Sequence, residues 1–430
     1  MKADARSRAA DLLALVPAAA LPLVFLHRRY QAHTAFGPVD VFGSDVAVLV
    51  TVLVAAVAGV WFGWRPLRRP LALWCVAGAL LALLGLSCLW RPIERPTTHL
   101  VTFAKVVEYA LLAPALVLLL RRPRQVDRFL VAFVAWSVAA SGWGLLQFVG
   151  AVGEFEGKRP GQREVSFLGI HDFAAFSGAT LAIGLAAVAL AERRRLAGAA
   201  VGAGAVGAIL AASVFALAGI VLAAVAALAV GRRVGTLTRA RAGAVAAVVA
   251  VVAAGTLALR SYDIANFFSF LGIRTTTAAA AEDVQTGSQR AMLAYIGLRI
   301  WEDHPLLGVG FERSADRYEP YLAAAKRKFP DQPAQAYPSP AHPWGVQNLW
   351  VQLLADAGVA GFALGAATFL AALALALRAP PPAVFLGLVA AGFVLVAAGT
   401  WNAVGIVAGV PLQAVTWLGF GLAAALRGLE

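Results

Sequence analysis

Long apolar runs constrain this chain more than any other feature of its sequence. Each run is mostly apolar over enough residues to cross a bilayer core, which takes about 20 residues of helix. Every backbone donor and acceptor must be paired within lipid, so these runs predict a helical bundle. Their polar and apolar residues do not alternate, which disfavours a β-barrel. We therefore expect an all-α polytopic membrane protein, in agreement with a composition that is 60% hydrophobic and 14% charged.

The apolar runs predict twelve transmembrane spans. The two spans between residues 196 and 231 are the shortest, and no polar turn separates them, so a single long helix is the alternative there. The predicted spans lie near 10–26, 44–64, 70–90, 99–120, 129–150, 173–191, 196–212, 214–231, 241–259, 357–377, 383–400 and 406–426.

Positive charge favours twelve spans with both termini in the cytoplasm. Cytoplasmic segments of membrane proteins are enriched in Lys and Arg. Twelve spans place nineteen of these residues on one side and seven in the short loops of the other side. Merging 196–231 into one helix would put the basic clusters at 193–195 and 232–241 on opposite sides. Residues 1–259 then hold nine spans, 260–345 form one large extracytoplasmic loop, and 346–430 hold three more spans.

The remaining composition excludes several classes of function. The net charge of +13 is mostly the topological signal just described, so nucleic acid is not an expected partner. Cys75 and Cys88 share one predicted helix about 20 Å apart along its axis and cannot pair with each other. The basic N-terminus followed by an apolar run through Leu26 predicts an uncleaved first span.

Two ionisable residues, Lys105 and Glu108, are predicted at membrane depth. They are three positions apart on one helix and can neutralise each other. A proton or ion relay is the functional interpretation, and a structural pair that anchors the bundle is the favoured one. We find no internal repeat in the sequence, and this disfavours a transporter.

The large loop contains a predicted amphipathic helix and a Gly-punctuated turn. Leu293, Ile296 and Ile300 recur at helical spacing after Arg290. The run ends at the sequence DHPLLGVG (303–310), and the loop returns to the membrane through a Pro-rich stretch and NLWVQLLADAGVAG (348–361). Long loops without a function are uncommon, so we expect the functional site in this large loop and in the segment 151–172.

Four segments resemble the O-antigen ligase and O-antigen polymerase family of membrane glycosyltransferases. They are GLLQF at 144–148, HDFA at 171–174, the stretch 290–310, and 348–361, which is similar to the family's HN, nine residues, GxxG motif from its Asn onward. The chain departs from the family at two places. Gln347 stands where the motif has His, and 213–219 (SVFALAG) lack the Arg that ligases carry there.

The resemblance implies transfer or polymerisation of a glycan from a polyprenyl diphosphate carrier onto the hydroxyl of a glycan or lipid acceptor. It also implies a multi-pass protein of the bacterial inner membrane that works at the outer leaflet. A polysaccharide or lipid-linked glycan transporter without catalysis is the alternative, and the sequence leaves ligase and polymerase open.

Site residues follow from the charge of the departing diphosphate. Arg binds phosphate oxygens through a planar fork, so Arg290 is the expected catalytic cation, with Arg163 and Arg159 binding substrate. His342 is the first candidate for the base that accepts the acceptor's proton, and His171 and Asp172 are the alternates. Gln347 and Asn348 are expected to orient substrate. No cofactor is expected, and no bound metal either, because no acidic DxD motif lies in an outer loop.

Overall fold

A computed structural model gives the fold of residues 2–24, 29–34, 37–89, 96–153, 160–270, 286–330, 332–342, 344–406 and 410–426. These residues form seventeen α-helices and one β-hairpin. The helices of the first half are α1 (Lys2–Leu13), α2 (Val16–Val24), α3 (Gly43–Phe62), α4 (Leu71–Ser87), α5 (Pro96–Ala110), α6 (Leu112–Leu119), α7 (Pro123–Phe148) and α8 (Ile170–Leu190). Those of the second half are α9 (Arg194–Ala211), α10 (Val214–Arg233), α11 (Arg239–Leu259), α12 (Ser261–Phe270), α13 (Thr286–Asp303), α14 (Glu319–Lys328), α15 (Leu349–Leu377), α16 (Val384–Thr400) and α17 (Val410–Ala425).

The helices confirm an all-α polytopic membrane protein. Ten helical segments in the described part of the chain have the length and hydropathy to cross a membrane, and each matches a predicted span. Two of these segments join neighbouring helices, α1 with α2 and α5 with α6. The apolar helices at Leu71–Ser87 and Leu412–Ala425 are shorter and match the third and twelfth predicted spans.

The segment 196–231 is two helices rather than one. Ala212 ends α9 with a positive φ of 45°. Ser213 then starts α10 as its N-cap, where its side-chain oxygen accepts a hydrogen bond of 3.3 Å from the backbone N–H of Ala216. A polar cap thus supplies the turn that hydropathy alone could not show.

The basic segments assigned to one side of the membrane meet at one end of the bundle, here called the basic end. Arg121 donates to the carbonyl oxygens of Phe62 and Gly63, at 3.0 and 2.8 Å. Arg193 pairs with Asp127 at 2.5 Å and lies over the Phe385 ring, 4.0 Å from its centroid. These contacts join the ends of α3, α6, α8 and the starts of α7, α9 and α16, as the alternation of twelve spans requires.

A β-hairpin between α2 and α3 was not expected from the sequence. It pairs β1 (Arg29–Thr34) with β2 (Gly37–Phe42) in antiparallel register. It follows the first span at the end opposite the basic end, here called the loop end.

Lys105 forms an ion pair with a residue of another helix, which the sequence analysis did not consider. Its ammonium nitrogen lies 2.6 Å from Oδ2 of Asp45 on α3, and both side chains are largely buried. This ion pair joins two helices, and the neutralisation of Lys105 by Glu108 stays a prediction.

The large loop packs onto the loop end of the bundle. The predicted apolar face of α13 is buried, since Leu293, Ile296 and Ile300 form a small core with residues of α14 and α15. The backbone N–H of Phe311 donates to the Ser87 hydroxyl at the end of α4, at 2.9 Å. His99, on α5, lies 3.0 Å from Oδ2 of Asp316.

Two glycines let the loop cross α15 at a break in that helix. Gly358 has a φ of 64° inside α15, and Gly308 has a φ of 61° in the loop. A Cβ on either glycine would lie 2.2–2.3 Å from backbone atoms of the other segment. The break frees the carbonyl oxygens of Ala355 and Asp356, and the N–H groups of Val309 and Gly310 donate to them at 3.0 and 2.8 Å. The motifs DHPLLGVG and GxxG are thus the two halves of one backbone crossing.

The Asp356 carboxylate holds the next residues of the loop beside this crossing. It accepts hydrogen bonds from the backbone N–H groups of Glu312 and Ser314, at 3.0 and 2.9 Å. Gln352, one turn earlier on α15, donates to the same carboxylate at 3.0 Å. The first half of α15 is therefore fixed to the loop before the helix enters the membrane.

Candidate functional site

A cavity of about 380 Å³ lies at the loop end, where the loop meets the helix ends. Its walls come from the start of α8, the α9–α10 junction, α12, the start of α13 and the start of α15. The lining residues are Arg163, Ile170, His171, Ala212, Ser213, Val214, Phe215, Arg260, Asp263, Ile264, Phe267, Phe268, Gly287, Arg290, Ala291, Ala294, Gln347, Asn348, Asn402 and Ala403. Five of the predicted site residues share this wall: Arg163, His171, Arg290, Gln347 and Asn348.

Arg290 projects from the first turns of α13 and contacts Gln347. Its Nε donates a hydrogen bond of 3.2 Å to the side-chain oxygen of Gln347. Burial and the nearby charge of Arg260 lower the pKa of Arg290 to about 10, so it is a cation at neutral pH. The residue at the position of the family's His therefore orients this cation.

Arg260 is a cavity residue that the sequence analysis missed. It ends α11, and its Nη1 lies 2.9 Å from Oδ2 of Asp263 on the first turn of α12. Its buried Nε has no hydrogen-bond partner among the described residues. Burial lowers the pKa of Arg260, and the Asp263 carboxylate acts against that shift. An Arg just after an apolar span, at the end predicted to be extracytoplasmic, is the signal that could have identified it.

The segment before α8 brings Arg163 and His171 to the cavity. The Gln147 amide in the GLLQF motif donates to the Ser166 carbonyl oxygen at 3.0 Å, and the Ser166 hydroxyl donates to the Ala140 carbonyl oxygen at 2.7 Å. The backbone N–H of Glu164 donates to the carbonyl oxygen of Leu210 on α9, at 2.8 Å. Glu164 and Ser166, which follow Arg163 in the chain, are thus fixed to helices of the bundle, and the motif's Gln has a structural role.

Asn348 caps α15 while lining the cavity. Its side-chain oxygen accepts from the N–H groups of Trp350 and Val351, at 3.0 and 3.1 Å. Its amide nitrogen lies 3.3 Å from the carbonyl oxygen of Asn402, which follows α16. These contacts give Asn348 a capping role, and its substrate-binding role stays a prediction.

Two other predicted site residues, His342 and Asp172, do not line this cavity. His342 is exposed and stacks on Trp344 with ring centroids 5.9 Å apart, and it is not a lining residue. The two residues assigned to catalysis from the sequence, His342 and Arg290, therefore do not meet at this cavity. Asp172 is buried at the start of α8, but it does not line the cavity either. Arg159 lies outside the described residues.

The wall at 212–215 is the place where the resemblance leads us to expect a ligase Arg. Ser213, Val214 and Phe215 occupy it, so this part of the wall carries no charge. Arg260 and Arg163 line the same cavity from α11 and from the segment before α8. The cavity therefore has three arginines, although the wall at 212–215 carries none.

The fold and cavity define a multi-pass helical membrane protein with an arginine-walled cavity beside a large loop. Residues 199–366 match the family model of O-antigen ligase, which confirms the resemblance found in the sequence motifs. The match runs from α9 into α15 and includes Arg260, Arg290, Gln347 and the glycine crossing. No curated protein matches the chain.

Proposed function

We propose that the chain transfers a glycan from a polyprenyl diphosphate carrier to an acceptor hydroxyl in the arginine-walled cavity. The observation that carries this proposal is the convergence of Arg163, Arg260 and Arg290 on one cavity beside the membrane. The O-antigen ligase match supports the same class of reaction. Arginines gathered in a partly buried wall suit a site where the charge of a diphosphate develops.

The reaction needs one bond broken, one bond formed and one proton moved. The bond between the anomeric carbon and the diphosphate oxygen breaks, and its electron pair leaves with the diphosphate. The acceptor oxygen bonds to the anomeric carbon and loses its proton. We assign Arg290 and Arg260 to binding the oxygens of the departing diphosphate. Arg163 is assigned to the negative charge of the substrate that these two arginines do not neutralise.

His171 is assigned as the base in place of His342. His171 lines the same cavity as the three arginines. Burial and the charges of Arg290, Arg163 and Arg260 lower the pKa of His171 to about 3, so its imidazole is neutral. We assign it the acceptor's proton in the complex with donor, where the negative diphosphate offsets the arginines. The imidazole of His342 lies on an exposed surface against Trp344. Gln347 holds the Arg290 side chain, and Asn348 holds the start of α15 next to it.

The orientation proposed for this site is outward, with both termini in the cytoplasm of a bacterial cell. The support is the cluster of Lys and Arg at the basic end, opposite the cavity. Cysteines introduced in a background without Cys75 and Cys88 test it on intact cells. Pro320→Cys should react with a membrane-impermeant maleimide added outside, and Arg194→Cys should not. Labelling of Arg194→Cys without labelling of Pro320→Cys would show that the chain has the opposite orientation.

Turnover by the purified full chain tests the function directly. The chain in proteoliposomes should move the glycan from a polyprenyl diphosphate donor to the acceptor and release polyprenyl diphosphate. His171→Gln should lower turnover by about 100-fold or more, and His342→Gln serves as its matched control, with little loss expected. Movement of the intact donor across the membrane without any transfer would instead support a transporter.

A further inference from the structure

A second cavity lies at the basic end, away from the cavity of the proposed function. It has a volume of about 560 Å³ and opens between the ends of α8, α10 and α15 and the start of α16. That volume is in the range of small-molecule sites. Helix α10 connects the two cavities, with Val214 lining the first and Arg233 lining the second.

Two arginines give this second cavity its charge. Arg233 and Arg378 line it, both are exposed, and neither forms an ion pair with another described residue. Glu192 also lines the cavity and lies 4.0 Å from the guanidinium of Arg193. Arg193 is itself held by Asp127 and Phe385. The two lining arginines are thus the cations free to meet an anion there.

The rest of the wall is largely apolar and partly open to the outside of the bundle. Val234 and Leu377 line the cavity with 44% and 40% of their surface exposed, beside the more buried Leu190 and Leu388. The cavity sits where spans end, and two of the helices that end there, α10 and α15, leave much of their surface outside the bundle. A soluble anion would use only the arginines, whereas an amphiphile would use both parts of the wall.

We propose that this cavity binds the headgroup phosphate of an anionic phospholipid. Arg233 and Arg378 contact the phosphate oxygens, and the acyl chains lie along the apolar wall. Basic pockets between spans at the cytoplasmic side are suited to anionic headgroups. The proposal does not depend on glycan transfer, because it concerns the opposite end of the bundle.

Lipid-dependent thermal stability of the purified full chain in detergent tests the proposal. A ligand that binds the folded state raises its Tm as concentration increases. We expect phosphatidylglycerol to raise the Tm saturably, and phosphatidylcholine with the same acyl chains, or inorganic phosphate, to have little effect. Arg233→Gln/Arg378→Gln should weaken the apparent affinity by roughly 30-fold, as expected for two basic residues near a headgroup.

The control variant is Arg232→Gln/Arg239→Gln, which removes the same charge from exposed residues outside the cavity wall. It should weaken the apparent affinity by less than about 3-fold. Val384→Trp keeps both arginines but fills the cavity, and it should also abolish the saturable shift. The Tm without lipid reports whether each variant folds. Equal losses of apparent affinity for phosphatidylglycerol in the two double variants would overturn the proposal. An equal rise in Tm with phosphatidylcholine, or with inorganic phosphate alone, would also overturn it.

Discussion

The Nε of Arg290 lies 3.2 Å from the side-chain oxygen of Gln347, to which it donates a hydrogen bond. These residues are separated by 57 positions, and the whole return of the large loop lies between them. The contact joins the start of α13 to the residue that precedes the cap of α15. It gives Gln347 a physical task at the position where the resembling family has His.

Gln347→Ala should lower turnover without unfolding the chain. The Arg290 side chain loses the acceptor that orients it, and a hydrogen bond to a charged group contributes about 1.5–3 kcal/mol. Transfer should therefore slow by roughly 10-fold to 100-fold. Gln347→Glu should be at least as harmful, because a carboxylate would neutralise the cation. Gln162→Ala, an exposed residue next to Arg163, is the control, and steady-state kinetics of both variants provide the comparison.

Gly358→Ala should destabilise the chain strongly, and Gly308→Ala should do the same. Each new Cβ would meet backbone atoms at 2.2–2.3 Å and would also require a positive φ. Overpacking and left-handed strain together cost about 2–4 kcal/mol. Gly202→Ala is the matched control because no atom lies within 4 Å of its Cβ position in α9. The same Tm for Gly358→Ala and Gly202→Ala in thermal unfolding would contradict the close backbone crossing at Gly308 and Gly358.

Lys105→Met should destabilise the bundle, and a second substitution should restore it. The single change leaves the Asp45 carboxylate buried without its ion partner, which costs about 3–5 kcal/mol. Lys105→Met/Asp45→Leu removes both charges and should recover most of the lost stability. Denaturation of the purified wild type, single variant and double variant measures these differences in the free energy of unfolding. The double variant should also retain turnover, and loss of turnover in a stable double variant would support the relay interpretation instead.

The sequence predicted the elements of this fold better than their partners. Hydropathy located the spans, and helical spacing located the buried face of α13, because both patterns are local. The ion pair between Lys105 and Asp45 depends on a residue of another helix, so spacing along one helix could not show it. The hairpin before α3 lies in a short loop that hydropathy does not describe.

The candidate site was predictable where a motif fixes the backbone near it. Gln347 and Asn348 belong to the motif that starts α15, and Arg290 starts the predicted amphipathic helix. Arg260 was missed because it looked like the polar end of a span, and only packing shows that α11 and α12 meet at a cavity. His342 was favoured over His171 because it is the nearest His to Gln347, the position of the motif's His, but its side chain is exposed.

Single-turnover glycan transfer by Arg290→Lys and Arg299→Lys tests the central claim most directly. Both arginines lie on α13, but Arg290 lines the cavity and Arg299 is exposed beside Glu302. Lysine keeps the charge and loses the planar fork. Preformed complexes with the polyprenyl diphosphate donor should transfer about 100-fold more slowly in Arg290→Lys, and at the wild-type rate in Arg299→Lys. Equal rates in both variants, matching wild type, would contradict a diphosphate site at Arg290.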